Sequence, residues 1–108
     1  MAIAILDTRP IVDWDSFHDA CQAAFGFPEF YGRNVNAFID CFNYVDEGDG
    51  MSRFHLAPGE TLTIELLEAD DFATRAPEQA LALLEWVGFV NQNAIEDGKL
   101  PRLLLLPR

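Results

Sequence analysis

The sequence predicts a small α/β domain, a three-stranded parallel sheet packed with about four helices. Two observations carry that prediction. Three short apolar runs, "AIAIL" (2–6), "LTIELL" (62–67) and "RLLLLP" (102–107), have the length and character of strands. Between them lie segments with apolar residues at helical spacing. Parallel strands need long crossovers, and these helices supply them, right-handed by the usual steric preference. Because the runs are apolar at successive positions, the strands are expected to be buried on both faces.

Each element has its own justification. The third run is rich in Leu, a good helix former, but Pro101 and Pro107 limit it to strand length. The first helix, "DWDSFHDACQAAFG" (13–26), turns Trp14, Phe17, Cys21, Ala24 and Phe25 toward one face, and Gly26 stops it. The second, "NVNAFIDCFNYV" (34–45), has Asn34 as its N-cap and an inward stripe of Val35, Phe38, Cys41, Phe42 and Val45. A short helix is expected over "DDFATRA" (70–76). The long one, 77–98, opens with Pro77 and Glu78, suited to a first turn, and its inward stripe is expected through Leu81, Leu84, Val87 and Val90 or Asn91. The stretch 46–60 is polar and Gly-rich, and is expected to be a mobile loop.

The 108 residues suit one domain spanning 1–108, and half of them are hydrophobic, enough for a core without disulfide or metal. Eighteen acidic residues against seven Lys and Arg give a formal net charge of −11. Such a chain repels nucleic acid and anionic membrane and attracts basic proteins. The start "MAIAILDTRP" lacks the charged, apolar pattern of a signal peptide, and no apolar run approaches the roughly 20 residues that cross a bilayer. The expectation is a cytoplasmic monomer with both cysteines, Cys21 and Cys41, buried and reduced.

Catalytic and cofactor chemistry finds little footing, and the chain is expected to be neither an enzyme nor a cofactor binder. "DEGDG" (46–50) fails the calcium-loop template, which wants Gly at its sixth position and Glu at its twelfth; a loop begun at Asp46 offers Met51 and Ala57. His18 and His55 have no ligand spacing between them, and no phosphate-binding glycine motif occurs. Cys41 falls on the apolar stripe, where an inert thiol is the usual state.

The outer face of the second helix is more informative. With the core stripe inward, Asn36, Asp40 and Asn43 share the opposite side, with Ile39 beside them. Phe30, Tyr31 and Gly32 stand at the helix entrance. Aromatics beside a carboxylate and amides form a recognition patch. The alternative is that Asn and Asp merely solvate the face while Phe30 and Tyr31 pack down into the core.

The segment "PEFYGRNVNAFIDCF" (28–42) resembles "PEYYGxNxDALWDCL", which marks the barstar family of intracellular ribonuclease inhibitors. Pro28, Glu29, Tyr31, Gly32, Asn34, Ala37, Asp40 and Cys41 match as they stand, and Phe30 replaces one aromatic with another. The rest of the chain is similar in plan, size and acidity. The resemblance implies that helix 34–45 and the loop before it plug the active site of a small basic ribonuclease, with Asp40 in the place of a substrate phosphate. It implies Phe30, Gly32 and Asn34 at the approach to the enzyme and Asn43 at a polar contact. Together with Tyr31, Asn36 and Ile39, these make the expected partner-binding set. Three departures bear on specificity. Asn36 stands where the archetype has a carboxylate, Ile39 replaces a Trp, and Arg33 replaces a Glu and is expected to repel a cationic site. The archetype's acidic contact on the last helix has no clear equivalent, since a gapless count lands on Trp86. A second implication follows from these departures: a regulatory or interaction module of the same fold with a partner that is not a nuclease.

Overall fold

The computed structural model describes residues 2–43, 45–46 and 51–108. Three strands, β1 (Ala2–Asp7), β2 (Leu62–Leu67) and β3 (Leu103–Pro107), form one sheet in the order β1-β2-β3, every pair parallel. The helices are α1 (Trp14–Phe25), α2 (Val35–Asn43), α3 (Ala69–Arg75) and α4 (Pro77–Glu96). The expected sheet and helices are all present.

The register aligns Ala4, Ile64 and Leu105 across the sheet, and Ile5, Glu65 and Leu106 in the next row. These rows face opposite ways, because side chains alternate along a strand. Ala4, Leu6, Leu62, Ile64, Leu66 and Leu103 are buried, while Ile3, Ile5, Leu104 and Leu106 are 44–54% exposed. The helices therefore cover one face. The expectation of strands buried on both faces is corrected. Sequential strand order with crossovers of one hand stacks every helix on the same side, and the apolar residues of the edge strands are left on the other.

Local signals set the helix ends. Asp13 caps α1 through a capping box with Ser16, and Gly26 ends it in a left-handed conformation at φ 65°. That site excludes a side chain, since a Cβ there would lie 2.6 Å from Arg53 Cβ. Asn34 Oδ1 accepts from Ala37 N at 2.8 Å, capping α2 as expected. Pro77 and Glu78 occupy the first turn of α4.

The inward stripe of α4 differs from expectation. Leu81 and Leu84 are more than half exposed, and the buried positions are Gln79, Ala82, Leu83, Val87, Val90 and Ala94. Val87 and Val90 fix the phase of the helix, and steps of four backward lead from Val87 to Leu83 and Gln79 and from Val90 to Ala82. Between α1 and α2 the core is aromatic: Phe42 has ring neighbours Phe25, Phe27 and Phe38 at 5.2–5.4 Å.

Part of the 46–60 stretch, residues 47–50, lies outside the described residues. Among those described, several are anchored to the rest of the fold. Leu56 is 1% exposed, Arg53 N and Ser52 Oγ both donate to Phe25 O, and Leu56 N donates to Val45 O. Asp46 lies 2.7 Å from Arg102 Nη1 and 3.3 Å from Lys99 Nζ.

One α4 side chain aligns helix and sheet. Asn91 Oδ1 accepts from Arg102 N and Leu103 N, and its Nδ2 donates to Leu103 O at 3.0 Å. Asn91→Ala should cost about 2–3 kcal/mol, because three bonds disappear at once and half-buried backbone groups go unsatisfied. A urea unfolding midpoint within error of wild type would show that the edge of β3 is held by other means.

Candidate functional site

Six of the eight residues expected at the partner surface line one hollow of about 320 Å³: Phe30, Tyr31, Gly32, Asn34, Asn36 and Asp40. Ala37, Cys41 and Met51 complete it. The loop after Pro28 turns into α2, and the helix then carries Asn36 and Asp40 one turn apart on its exposed face. Asp40 is exposed, and Phe30 stands 74% exposed at the rim, an unusual position for a bare phenyl ring. Gly32 lets the chain close up here, since a Cβ would sit 3.3 Å from Ala37 Cβ and 3.5 Å from Asn34 Nδ2.

Tyr31 takes a different role from the one expected. It is 5% exposed, stacks at a tilt on Phe27 with centroids 4.8 Å apart, and places its hydroxyl 2.8 Å from His18 Nδ1. It supports the loop from below and offers a partner almost no surface. Ile39 is half-buried and packs against the core, so it too contributes less surface than expected.

Arg33 also departs from expectation. Its φ of 55° is left-handed, a conformation costing a non-glycine residue about 1–2 kcal/mol. Its guanidinium donates to Asp15 O at 2.8 Å and to Asp19 Oδ1 at 3.0 Å, and lies 3.6 Å from Asp15 Oδ1. The positive charge is neutralised by α1 and staples the loop to it. Its repulsion of a cationic partner is correspondingly small.

Asn43 lies apart from the hollow, in a polar notch with Asn93, Glu96 and Asp97. Helices α2 and α4 run side by side in the same direction, Phe38 meeting Trp86 midway along α4 and Asn43 sharing the notch with Asn93 toward its end. The end of α4 therefore adds two carboxylates, Glu96 and Asp97, to the side of the protein that carries Asp40. In the sequence the pair reads only as acidic neighbours at a helix end, and the gapless comparison that lands on Trp86 points away from it. An acidic pair just before the helix-ending Gly98 was the available signal.

His18 is 5% exposed and stacks on Trp86 with centroids 5.8 Å apart. Burial, followed by the nearby Arg33 charge, lowers its pKa from the ordinary value. The folded state thus holds it neutral, while the unfolded chain takes up a proton near pH 6.5. The resulting stability is full above about pH 6.5 and drains away as pH falls toward the lowered folded pKa. Asp7, held at about 2 chiefly by its side-chain bond from Arg9, acts only in stronger acid. Wild type should therefore lose stability as pH falls below about 6.5, and His18→Gln should flatten that slope. Identical slopes for the two proteins in urea melts would exclude His18 as the cause.

Cys21 and Cys41 are both buried, and neither forms a disulfide. Burial raises the Cys21 pKa well above the ordinary thiol value, so it stays protonated and unreactive. Among the described residues no group of three His, Cys, Asp or Glu side chains could hold a metal, and no helix is long and apolar enough to cross a membrane.

A family model described as "Barstar (barnase inhibitor)" matches residues 1–105 of the 108. The chain belongs to the barstar family. The match covers all three strands and all four helices except the end of β3, so the α/β fold with its parallel sheet is the barstar fold. No curated protein matches the chain. The family is one of inhibitors that act by binding a protein, and it is not catalytic.

Proposed function

We propose that this barstar-family protein binds and inhibits a small basic ribonuclease, inserting the outer face of α2 and the loop before it into the enzyme's active site. The observation that supports this most is the hollow that gathers Phe30, Gly32, Asn34, Asn36 and Asp40 on one exposed side of the fold. A ribonuclease active site holds cationic groups for RNA phosphates. An exposed carboxylate on a rigid helix can occupy that place through charge-assisted hydrogen bonds. Phe30 would cover an apolar or aromatic group of the enzyme, and Asn43, Glu96 and Asp97 would extend the contact. The net charge of −11 would speed encounter with a cationic partner. In this reading the protein is a monomer of the cytoplasm, has no catalytic role of its own, and needs no cofactor.

Asn36 favours a second reading. It lies in the hollow yet carries no charge, so the interface holds one central carboxylate and its specificity has moved from the archetype's. A basic partner that is not a nuclease would fit the same face. An RNA-cleavage assay against barnase and other small basic ribonucleases tests the main reading. Stoichiometric inhibition of at least one is expected, with an association rate that falls as salt rises. Capture of a basic protein without nuclease activity, and no inhibition across the set, would establish the second reading instead.

A further inference from the structure

Both tryptophans of the chain meet at one slot beside the α2 face, although they lie in different helices. Trp14 of α1 and Trp86 of α4 are nearly parallel, at 14°, with ring centroids 5.9 Å apart. The slot has a volume of about 340 Å³ and is lined by Asn34 and Val35 at the start of α2, so it adjoins the partner hollow, with Asn34 lining both. Trp86 has a packing role, since its ring meets Phe17 and Phe38 at 5.4–5.5 Å. Trp14 packs on Phe17 and His18 at 5.5–6.2 Å, yet 36% of it stays exposed at the slot.

Charge decides what such a slot would accept. Asp15 lines it with a side chain that is almost fully exposed, and Arg33 lines it with a guanidinium shared between Asp15 and Asp19. Asp19 lies outside the slot but holds Arg33 at 3.0 Å, so Asp15, Asp19 and Arg33 together carry one negative charge in excess. His18, the remaining titratable group lining the slot, is held neutral by burial. Indole faces attract cations, and a planar guanidinium can stack on indole while its fork reaches a carboxylate, which an ammonium cannot do as well.

We propose that the Trp14–Trp86 slot receives an arginine side chain of the basic protein partner, stacked on indole and paired with Asp15. This rests on the reading of the α2 face as a partner surface, and it names a second anchor at the edge of that face. Arginine specificity would then come from α1 and α4, in addition to the charge of Asp40.

Because both tryptophans of the chain line this slot, fluorescence excited selectively at indole reports on it. The probe is acetyl-arginine amide, with the uncharged acetyl-citrulline amide as control. A saturable fluorescence change is expected with arginine and none with citrulline. Asp15→Asn, at an exposed position, should weaken the response about threefold or more; Trp14→Leu should abolish it, with Trp86 still reporting. A linear change, the same change with citrulline, or a response indifferent to both substitutions would overturn the slot. Asp40→Ala separates the two proposals. If partner capture depends on Asp40 but the slot titration is flat, only the slot is overturned. If the slot titrates but capture ignores Asp40→Ala, the α2 reading fails and the cation slot stands.

Discussion

Replacing Asp40 with alanine should weaken partner binding about ten- to a hundredfold, the worth of a charge-assisted bond whose cationic partner is left unpaired. The fold should not notice. Asp40 is exposed, it lies within the helix α2, and alanine has the higher helix propensity. The loss should fall mainly on the dissociation rate, because one charge among a net −11 changes the long-range field little. The check is association and dissociation kinetics against a captured basic partner, beside a urea melt of the same samples. Unchanged affinity would move the interface elsewhere, and a collapsed melting curve would mean that Asp40 has a structural task.

Phe42→Ala should have the opposite profile. Phe42 is fully buried among Phe25, Phe27 and Phe38. Deleting a ring from such a cluster costs about 3–5 kcal/mol, transfer and cavity together. Domains of this size have about 5–15 kcal/mol in total, so the variant should melt at least about 12 °C lower. Phe42→Leu should recover most of that loss. A small shift in Tm would show that Phe25 and Phe27 collapse into the space. Partner affinity per folded molecule should change little, which separates this variant from Asp40→Ala.

The two substitutions also mark where the sequence was legible. Phe38 and Phe42 follow helical spacing, so the inner side of α2 was readable, and its outer side followed by geometry. Leu81 and Leu84 misled for a related reason. They too fit an apolar stripe, but α4 offers two apolar phases, and the alanines at 82 and 94 that mark the true one carry little hydrophobic signal. The uncovered face of the sheet was hidden because Ile3, Ile5, Leu104 and Leu106 are as apolar as their buried neighbours. Single residues at the site were harder still. That Tyr31 points inward is decided by His18, thirteen positions away, and that Arg33 is neutralised is decided by Asp15 and Asp19. Such pairings depend on how α1 lies against the loop, which no periodicity encodes. The nearness of Glu96 and Asp97 to Asn43 is of the same kind.

The strand order has a consequence for how the chain is made. The central strand, β2, leaves the ribosome with β1 already available, but residues 68–102 must follow before β3 can pair with its other side. For that interval β2 presents an unpaired apolar edge, the kind of surface that recruits strands from neighbouring nascent chains. The hazard ends when Asn91 and β3 arrive, because Asn91 then ties up both backbone groups of Leu103, and Pro107 has no N–H to offer. The finished sheet is thus closed to strand addition along much of its last edge, while the half-made one is open at its centre. Chaperone demand during synthesis should fall on this interval.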